Sequence, residues 1–455
     1  MTYEVEEKLR KLSAIDAGKG RVGWLMYLSG EGDERQRAEE FVDILLYQAI
    51  GKDHQKQILL EPPRSEFYSG TYRLGSVRFP PGVSLGDFGL LDREWIKHVL
   101  ITGMTGTGKT NLSFQILWQF KKFNKPFLVF DWKRNYRDLV PLPVFTGLKI
   151  FTVGRTASPI FFNPLQPPPG TKPGEWLMKL VDVIKHAYFV GDGVEFLLRQ
   201  AIDWVYDKSG YFDNSQKETP TFYQVRDYIS KLHLQGRMSL WKASCMRVLE
   251  SLCFRHGLGP VVNTHLKWNF EELLKSDAVM ELDVLSDADK VFFTEAMILW
   301  IYEYRKTQTK REEFKHALII EEAHHILSQK KEHSEGAETI METCLRQIRE
   351  FGEAVIVIDQ EPSKLSNSIK ANTYCKITFN LGNGEDIQDI ARCMELDQEE
   401  AKCINLLEVG GAIVSLKGRF HQPLLIQVPK VDLKKGLIRD EDLETKSDLR
   451  FSHIN

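Results

Sequence analysis

The sequence predicts an α/β protein with a mostly parallel central sheet, an inserted helical subdomain and a small N-terminal domain. From residue 98 onward, short runs rich in β-branched and aromatic residues alternate with segments of helical spacing, which is typical of parallel strands joined by crossover helices. A glycine-rich turn separates the first such run from a helical pattern. Between residues 174 and 275, strand signals are few and apolar residues recur at i, i+3 and i+4, so we expect an inserted group of helices.

Nine short apolar runs are strand candidates, and the last two could pair antiparallel. They lie at 98–102, 126–132, 149–153, 279–285, 317–322, 354–359, 375–381, 410–416 and 424–429. In the N-terminal region, residues 34–50 have helical spacing, and the proline- and glycine-rich residues 61–89 predict short strands and turns. The predicted segments are an N-terminal region at 1–95, two parts of one core at 96–173 and 276–430, a helical subdomain at 174–275, and a charged arm or frayed tail at 431–455.

Composition places the chain in the class of soluble globular proteins, with 42% hydrophobic and 27% charged residues. No apolar run approaches the roughly 18 residues that span a bilayer, and the charged N-terminus lacks a signal core, so we expect a cytoplasmic protein without membrane insertion. The six cysteines form no CxxC pair, which favours reduced thiols over a zinc site or disulfides. A net charge of −3 weakens a nucleic-acid hypothesis without excluding it, because a ring can line its pore with a few Lys and Arg.

The glycine-rich turn at residues 103–110, GMTGTGKT, matches the phosphate-binding loop pattern. Glycines allow backbone N–H groups to approach a phosphate closely, and the helix that follows directs its positive end to the same anion. Lys109 would contact the β- and γ-phosphates, and the Thr110 hydroxyl would ligate Mg²⁺. The predicted nucleotide-binding residues here are Gly103, Thr105, Gly106, Thr107, Gly108, Lys109, Thr110 and Asn111. The alternative is a chance match in a glycine-rich turn.

Two carboxylates end the apolar run of residues 317–322. Glu321 would hold Mg²⁺ through water, and Glu322 would polarise the attacking water. The alternative is a buried strand that ends in a charged turn. His324 and His325 lack the spacing of an HExxH metal site and favour a plain helix face.

Gln360 ends another apolar run and could sense the γ-phosphate or orient the water, or simply face solvent. Arg346 and Arg349 lie three residues apart in a helical pattern and so share a face. They are candidates for an arginine finger delivered in trans to the nucleotide of a neighbouring subunit, and the alternative is a solvated basic face.

Several segments together resemble the HerA-like ATPases of the HerA/FtsK superfamily, over roughly residues 72–430. They include KHVLITGMTGTGKTN, LVFDWKRNY, LIIEEAHHIL, LRQIREFG and VIVIDQEPSKL. The resemblance implies a RecA-like P-loop NTPase core in a homo-hexameric ring, with ATP and Mg²⁺ bound between subunits. It also implies translocation along double-stranded DNA together with a nuclease or other effector. By position, it assigns Glu322 as catalytic carboxylate with Glu321 beside it, Asp131 to the acidic set, Gln360 as sensor, and Arg346 or Arg349 as the trans finger.

The sequence departs from this family pattern in two places. Residues 1–70 have helical patterns where the family usually has a small β-barrel, and DWKRNYRDL is more basic than the DPHxEY-like form of the DNA-repair members. Repair, conjugation and anti-phage defence therefore all stay open. For DNA contact in a pore, the candidates are the loops at 327–339 and 363–370, with Lys330, Lys331, Lys364 and Lys370. Two alternatives to a helicase-like translocase are an ATP-controlled ring scaffold that activates an effector, and a conjugation or secretion ATPase.

Overall fold

The computed structural model describes residues 3–50, 60–79, 83–213, 215, 218–266, 269–309, 311–328 and 339–443. The chain divides into two compact units. Unit 1 comprises residues 1–90, 102–112 and 375–430, and unit 2 comprises residues 91–101, 113–374 and 431–455. Lys330 and Lys331 fall outside the described residues, so their assignment to a DNA-contacting loop stays a prediction.

The strands of unit 1 pair antiparallel in the order β2-β1-β11-β10-β9. Their bounds are β1 Tyr72–Arg78, β2 Ser84–Leu90, β9 Cys375–Thr378, β10 Gly411–Leu416 and β11 Leu424–Gln427. The hairpin of β10 and β11 confirms the antiparallel pairing that the sequence suggests for its last two apolar runs. β1 and β2 likewise confirm strands in the proline- and glycine-rich stretch.

Three helices precede these strands and pack into a small bundle of their own. They are α1 Tyr3–Ile15, α2 Ala17–Ser29 and α3 Asp33–Ile50. Leu9, Leu12, Val42 and Leu46 are fully buried in the core of the bundle. The helical pattern of residues 34–50 is therefore confirmed, and the apolar stripe that repeats every three to four residues is the physical reason.

Unit 2 contains the parallel part of the fold, in the strand order β3-β8-β7-β4-β6-β5. The bounds are β3 Val99–Thr102, of which residues 99–101 belong to this unit, β4 Phe127–Asp131, β5 Lys149–Thr152, β6 Asp277–Glu281, β7 His316–Glu321 and β8 Glu353–Asp359. β8, β7, β4, β6 and β5 pair parallel with their neighbours. Every residue of β7 and β8 is buried, as expected of strands covered on both faces.

The helices of unit 2 include those predicted from residues 174–275. The bounds of those with eight or more residues are α4 Lys109–Lys122, of which residues 113–122 belong to this unit, α5 Pro173–Tyr188, α6 Asp192–Lys208, α7 Phe222–Lys231, α8 Arg237–Leu252, α9 Asp287–Lys306 and α10 Ile340–Gln347. The shorter ones are Asp92–Trp95, Gly259–Val262, Phe270–Leu273 and Asn367–Asn372. α5 to α8 confirm the helices predicted from residues 174–275, and Pro173 opens the first of them at a position that suits proline. Unit 1 adds Ser65–Tyr68, α11 Gly384–Met394 and Gln398–Lys402.

The parallel pairing aligns the polar residues at the carboxyl ends of four strands. β4, β6, β7 and β8 end in Asp131, Glu281, Glu321 and Asp359. In parallel sheets these ends form one edge, where ligands commonly bind. β6 ends at Glu281, earlier than the predicted run of residues 279–285, and the Leu282 N–H that follows donates to the Asp131 carbonyl of β4 at 2.9 Å.

Residues 431–443 form an arm that is packed rather than frayed. Val431 and Leu443 are buried, and Asp440 pairs with arginines of unit 2. Residues 444–455 lie outside the described residues. Among the described helices, none has the length and apolar character needed to cross a bilayer. All six cysteines are free thiols.

Candidate functional site: a phosphate loop and an acidic strand edge

The phosphate loop has the backbone that its glycines predict. Gly103, Gly106 and Gly108 have φ values of +152°, +85° and +126°, a region that L side chains rarely adopt. Among the described residues, the N–H groups of Gly106, Thr107 and Gly108 donate to no protein acceptor. They are thus available to a phosphate, and α4 begins directly after them.

Lys109 and Thr107 brace the loop from within. The Lys109 ammonium donates to the Gly103 carbonyl at 2.5 Å and to the Met104 carbonyl at 3.0 Å, and the Thr107 hydroxyl donates to the Met104 carbonyl at 2.8 Å. Only 8% of Lys109 is exposed, so its charge is held inside the loop. Thr110 follows as the second residue of α4 and is half-buried, with its hydroxyl at the helix start where a Mg²⁺ ligand is expected.

Strands β9 to β11 back the loop within unit 1. A Cβ on Gly103 would lie 2.7 Å from the Phe379 Cβ, so no larger residue fits there without movement. The Gly410 N–H donates to the Thr107 carbonyl at 2.9 Å. The Asn111 amide donates to the Pro429 carbonyl at 2.9 Å, so the structure gives this side chain a structural bond, and its nucleotide contact stays a prediction.

Asp131 and Glu321 form a buried carboxyl pair at the ends of β4 and β7. Asp131 accepts from the Lys133 N–H at 2.9 Å and the Tyr136 N–H at 3.0 Å, and Glu321 accepts from the Tyr136 hydroxyl at 2.9 Å. Burial raises the pKa of both groups, and these hydrogen bonds oppose the rise only in part. The negative charge of Asp131 raises the pKa of Glu321 further, and that of Glu281 raises the pKa of Asp131. Such a pair favours a cation beside it, as expected of carboxylates that help to place Mg²⁺.

Glu322, the predicted catalytic carboxylate, follows β7 in a left-handed conformation with φ +48° and ψ +45°. Its Oε1 lies 2.5 Å from the Lys133 ammonium and also accepts from the Gln360 amide. Its side chain is 14% exposed, so it reaches solvent while the neighbouring Glu321 does not. The structure therefore brings Glu322 and Gln360 together, as the sequence motifs suggest, and adds Lys133, which sequence reasoning missed.

The two histidines after Glu322 lie on a short 3-10 turn, Ala323–His325, where a helix face was expected. His324 donates its backbone N–H to Asp359 at 2.7 Å, and its Nδ1 lies 3.0 Å from the same carboxylate. Burial lowers the pKa of His324, but the bond and charge of Asp359 outweigh it and the net shift is upward. The His325 ring stacks on Trp132 at 4.5 Å, so both histidines brace the turn that presents Glu322.

An arginine network lies next to this edge. Arg137 pairs with Glu281 at the end of β6 and lies 2.9 Å from Asp440 of the C-terminal arm, and Arg155 lies 3.2 Å from the same carboxylate. Glu281 is fully buried, and its negative charge raises the pKa of Asp131. The arm is thus tied to the segment after β4, a link between distant parts of the chain that sequence reasoning missed.

The candidate arginine fingers are both exposed, but they do not share one α-helix. Arg346 lies on α10, which ends at Gln347, and Arg349 lies on the 3-10 turn Ile348–Phe351. His98 supports this segment: its Nε2 lies 2.7 Å from the Leu345 carbonyl, and its Nδ1 accepts from the Val355 N–H at 3.1 Å. A role in trans stays a prediction for both arginines.

The two described DNA candidates differ. Lys364 is half-exposed and pairs with Glu361 at 2.6 Å. Lys370 is 2% exposed, on the helix Asn367–Asn372, with its ammonium 3.4 Å from the Pro362 carbonyl. The expectation of an exposed pore-loop lysine is therefore wrong for Lys370, because a helix that the sequence reading missed turns it inward.

Comparisons with known proteins agree with this architecture. The family described as Helicase HerA, central domain, matches residues 91–391. The solved structure of VirB4 of Thermoanaerobacter pseudethanolicus is similar with a TM-score of 0.60 and 16% identity, over 80% of this chain and 97% of that one. The plasmid coupling protein TrwB in complex with an ATP analogue is similar with a TM-score of 0.57 and 12% identity, over 76% of this chain and 88% of that one. No curated protein matches the sequence.

Proposed function

Because the chain belongs to the HerA central-domain family, we propose that it is a P-loop ATPase that hydrolyses ATP with Mg²⁺. Two observations carry the proposal: unit 1 contains a glycine-built phosphate cradle, and unit 2 contains strands that end in Asp131 and Glu321, with Glu322 directly after the second of them. TrwB, a protein of similar fold, has been solved with an ATP analogue and with ADP and Mg²⁺. An ATP hydrolase needs both a phosphate cradle and a catalytic base. A chance glycine-rich turn would not explain why the chain also has carboxylates that can act as the base.

The residues divide the work by their chemistry. Lys109 and the loop amides bind the β- and γ-phosphates, and Thr110 with Glu321, through water, holds the metal ion. Mg²⁺, when bound, neutralises charge on the phosphates. Glu322, the more exposed of the two acids, takes a proton from the attacking water, and Gln360 orients that water or senses the γ-phosphate.

Two substitutions test this assignment, one through loss of ATP binding and the other through loss of turnover with ATP still bound. Lys109→Ala should weaken ATP binding and abolish turnover, because the charge inside the loop is lost. Glu322→Gln should keep ATP bound but lower kcat by about 100-fold or more, since an amide cannot accept the proton. Binding is measured with a fluorescent ATP analogue and turnover by phosphate release. Normal turnover by Glu322→Gln would place the catalytic base elsewhere.

We further propose that the ATPase assembles as a homo-hexamer and translocates along double-stranded DNA. The family, which bears a helicase name, and the similarity in fold to TrwB, a bacterial conjugative coupling protein, support this proposal. The test compares phosphate release with and without duplex DNA, together with the mass of the particle. Absence of DNA stimulation in an assembled ring would count against translocation. Lys364→Ala should reduce the salt dependence of DNA binding by about one ion.

The arginine finger is tested by mixing subunits. In a ring with a trans finger, Arg346→Ala or Arg349→Ala subunits mixed with Lys109→Ala subunits should regain some ATPase activity at mixed interfaces. Mixtures of two Lys109→Ala preparations give the background. If neither mixture exceeds that background, action in trans is contradicted.

A second candidate is an ATP-controlled ring scaffold for a nuclease or other effector, in DNA processing or anti-phage defence. The apolar residues on the outer face of α2 favour it: Val22, Leu25, Met26 and Leu28 are 41–61% exposed. Effector activity that depends on ATP while DNA displacement is absent would support the scaffold over the motor. A conjugation or secretion ATPase that feeds a membrane channel is the third candidate, and the fold shared with VirB4 and TrwB supports it.

A further inference from the structure

The turn that follows β4 contacts three carboxylates of the acidic edge, those of Asp131, Glu321 and Glu322. Its Lys133 and Tyr136 N–H groups donate to the two oxygens of Asp131. Its Tyr136 hydroxyl donates to Glu321, and its Lys133 ammonium lies 2.5 Å from Glu322. One segment of six residues thus connects side chains that come from β4 and β7, strands that pair directly.

We propose that Lys133 is a positioning residue for ATP hydrolysis, which orients Glu322 by binding one of its carboxylate oxygens. The inference rests on the proposed hydrolysis with Glu322 as base. Lys133 and the Gln360 amide converge on the same atom, Oε1. Two donors on one oxygen fix the rotation of the carboxylate and direct the other oxygen, Oε2, to the water whose proton it accepts.

The contacts of Oε2 agree with a carboxylate that is held through Oε1 and accepts a proton at Oε2. Of the described basic groups, the one near Oε2 is the His324 Nδ1 at 3.9 Å, which is beyond hydrogen-bond distance. The same nitrogen lies 3.0 Å from Asp359, so His324 is engaged elsewhere. Glu322 therefore has one oxygen fixed by two donors and one oxygen without such a donor among the described residues.

Lys133 is itself held in place at its backbone. Its N–H donates to Asp131, and Arg134 next to it has φ +64°, a left-handed residue that turns the chain sharply. The ammonium reaches Glu322 from this fixed point while 49% of the side chain is exposed. Because exposed ion pairs contribute little to folding stability, loss of Lys133 should act on turnover and leave stability nearly unchanged.

The experiment measures kcat, KM and thermal stability of the full chain with Mg²⁺ and ATP. Lys133→Met should lower kcat by about 10- to 100-fold with KM within about twofold, because orientation is lost while the phosphate loop is intact. Lys133→Arg, which keeps a cationic donor, should recover most of the rate. Arg134→Met is the matched control: it removes the next cation of the same turn, which pairs with Asp440, and should change kcat less than about twofold.

Glu322→Gln separates failure of this inference from failure of the proposed function. Normal turnover by Glu322→Gln would contradict the proposed base itself. If Glu322→Gln is inactive while Lys133→Met keeps or raises kcat, or only raises KM, the positioning role is wrong. The double variant Lys133→Met/Glu322→Gln should be no slower than Glu322→Gln alone, since one residue acts through the other. A further loss in the double variant would show that Lys133 acts separately and would overturn the proposal.

Discussion

The phosphate loop and the acidic edge are built in different ways. The loop depends on backbone: three glycines with positive φ leave amides available, and the loop's own carbonyls hold Lys109. The acidic edge depends on side chains, since Glu321 and Glu322 are held by donors from the segment after β4 and, for Glu322, also by Gln360 after β8. The first kind of site tolerates no Cβ at certain positions, and the second tolerates no loss of a donor.

This difference explains why the two regions carry different information in the sequence. A backbone site needs glycine at fixed spacing, so its motif is local and specific. A side-chain site needs partners that the chain brings together from afar, so its strand-end acids alone are ambiguous. The predictions below test whether backbone geometry and side-chain donors are indeed the separate determinants of binding and turnover.

The largest expected effect compares two glycines of the loop. Gly103→Ala should weaken ATP binding by about 100-fold or more, because a Cβ there would lie 2.7 Å from the Phe379 Cβ at φ +152°. Gly106 has φ +85°, but a Cβ there would meet no atom within 4 Å. Gly106→Ala should therefore add only left-handed backbone strain of about 1 kcal/mol, which weakens ATP binding roughly fivefold. Titration with a fluorescent ATP analogue measures both. Equal losses would mean that strain, and not the contact with Phe379, limits the loop.

The next largest effect is expected on removal of the Tyr136 hydroxyl, which holds Glu321 in the acidic edge. Tyr136→Phe keeps the buried ring but removes the bonds to Glu321 at 2.9 Å and Ser113 at 2.8 Å, so kcat should fall by about tenfold and the free energy of unfolding by about 1 kcal/mol. Ser113→Ala removes the bond to Tyr136 and leaves the bond between Tyr136 and Glu321 in place. It should lower the free energy of unfolding by a similar amount, with little change in kcat. Phosphate release and denaturant unfolding measure the two quantities. A similar loss of kcat in Ser113→Ala would contradict a specific role for the bond to Glu321.

Sequence reasoning predicted the elements that local patterns encode. The phosphate loop, the antiparallel hairpin of β10 and β11, and the strands that end at Glu321 and just before Gln360 all follow from short motifs and apolar runs. It missed what only the fold brings together, such as the contact of Lys133 with Glu322 and that of Asp440 with Arg137.

The misplacement of Lys370 has the same origin. A polar run after a strand predicts a loop, yet Ser366 caps the short helix Asn367–Asn372 by accepting from the Ile369 N–H at 3.4 Å, and Lys370 turns inward. A single short helix thus reverses which side chains face solvent. Spacing alone does not determine that face when the helix is only six residues long.

A pH-dependent effect on stability is expected at His98, which supports the segment of the candidate arginine fingers. Burial lowers the pKa of His98 to about 4, below its ordinary 6.5, so protonation favours the unfolded chain. Its contribution should be complete above about pH 6.5 and be lost as the pH falls toward 4, roughly 2 kcal/mol by pH 5. His98→Asn suits the local φ of +68° and does not titrate. The difference in unfolding free energy between wild type and this variant should shrink from pH 7.5 to pH 5, and a constant difference would contradict a buried neutral His98.

The smallest expected effect concerns Asn111 and tests whether the phosphate loop binds ATP mainly through its backbone. Asn111 follows the phosphate loop, but its amide donates to the Pro429 carbonyl at 2.9 Å in an exposed position. If the loop binds phosphate through its amides and Lys109, Asn111→Ala should change ATP affinity less than about twofold and lower the free energy of unfolding by about 0.5 to 1 kcal/mol. The same nucleotide titration measures the affinity, with Asn372→Ala as a control, since the Asn372 amide also donates to a backbone carbonyl, that of Ser368, in an exposed position. A tenfold loss of affinity in Asn111→Ala would show that a side chain beyond Lys109 and Thr110 contributes to binding, and the separation between a backbone site and a side-chain site would then be less complete than the loop geometry indicates.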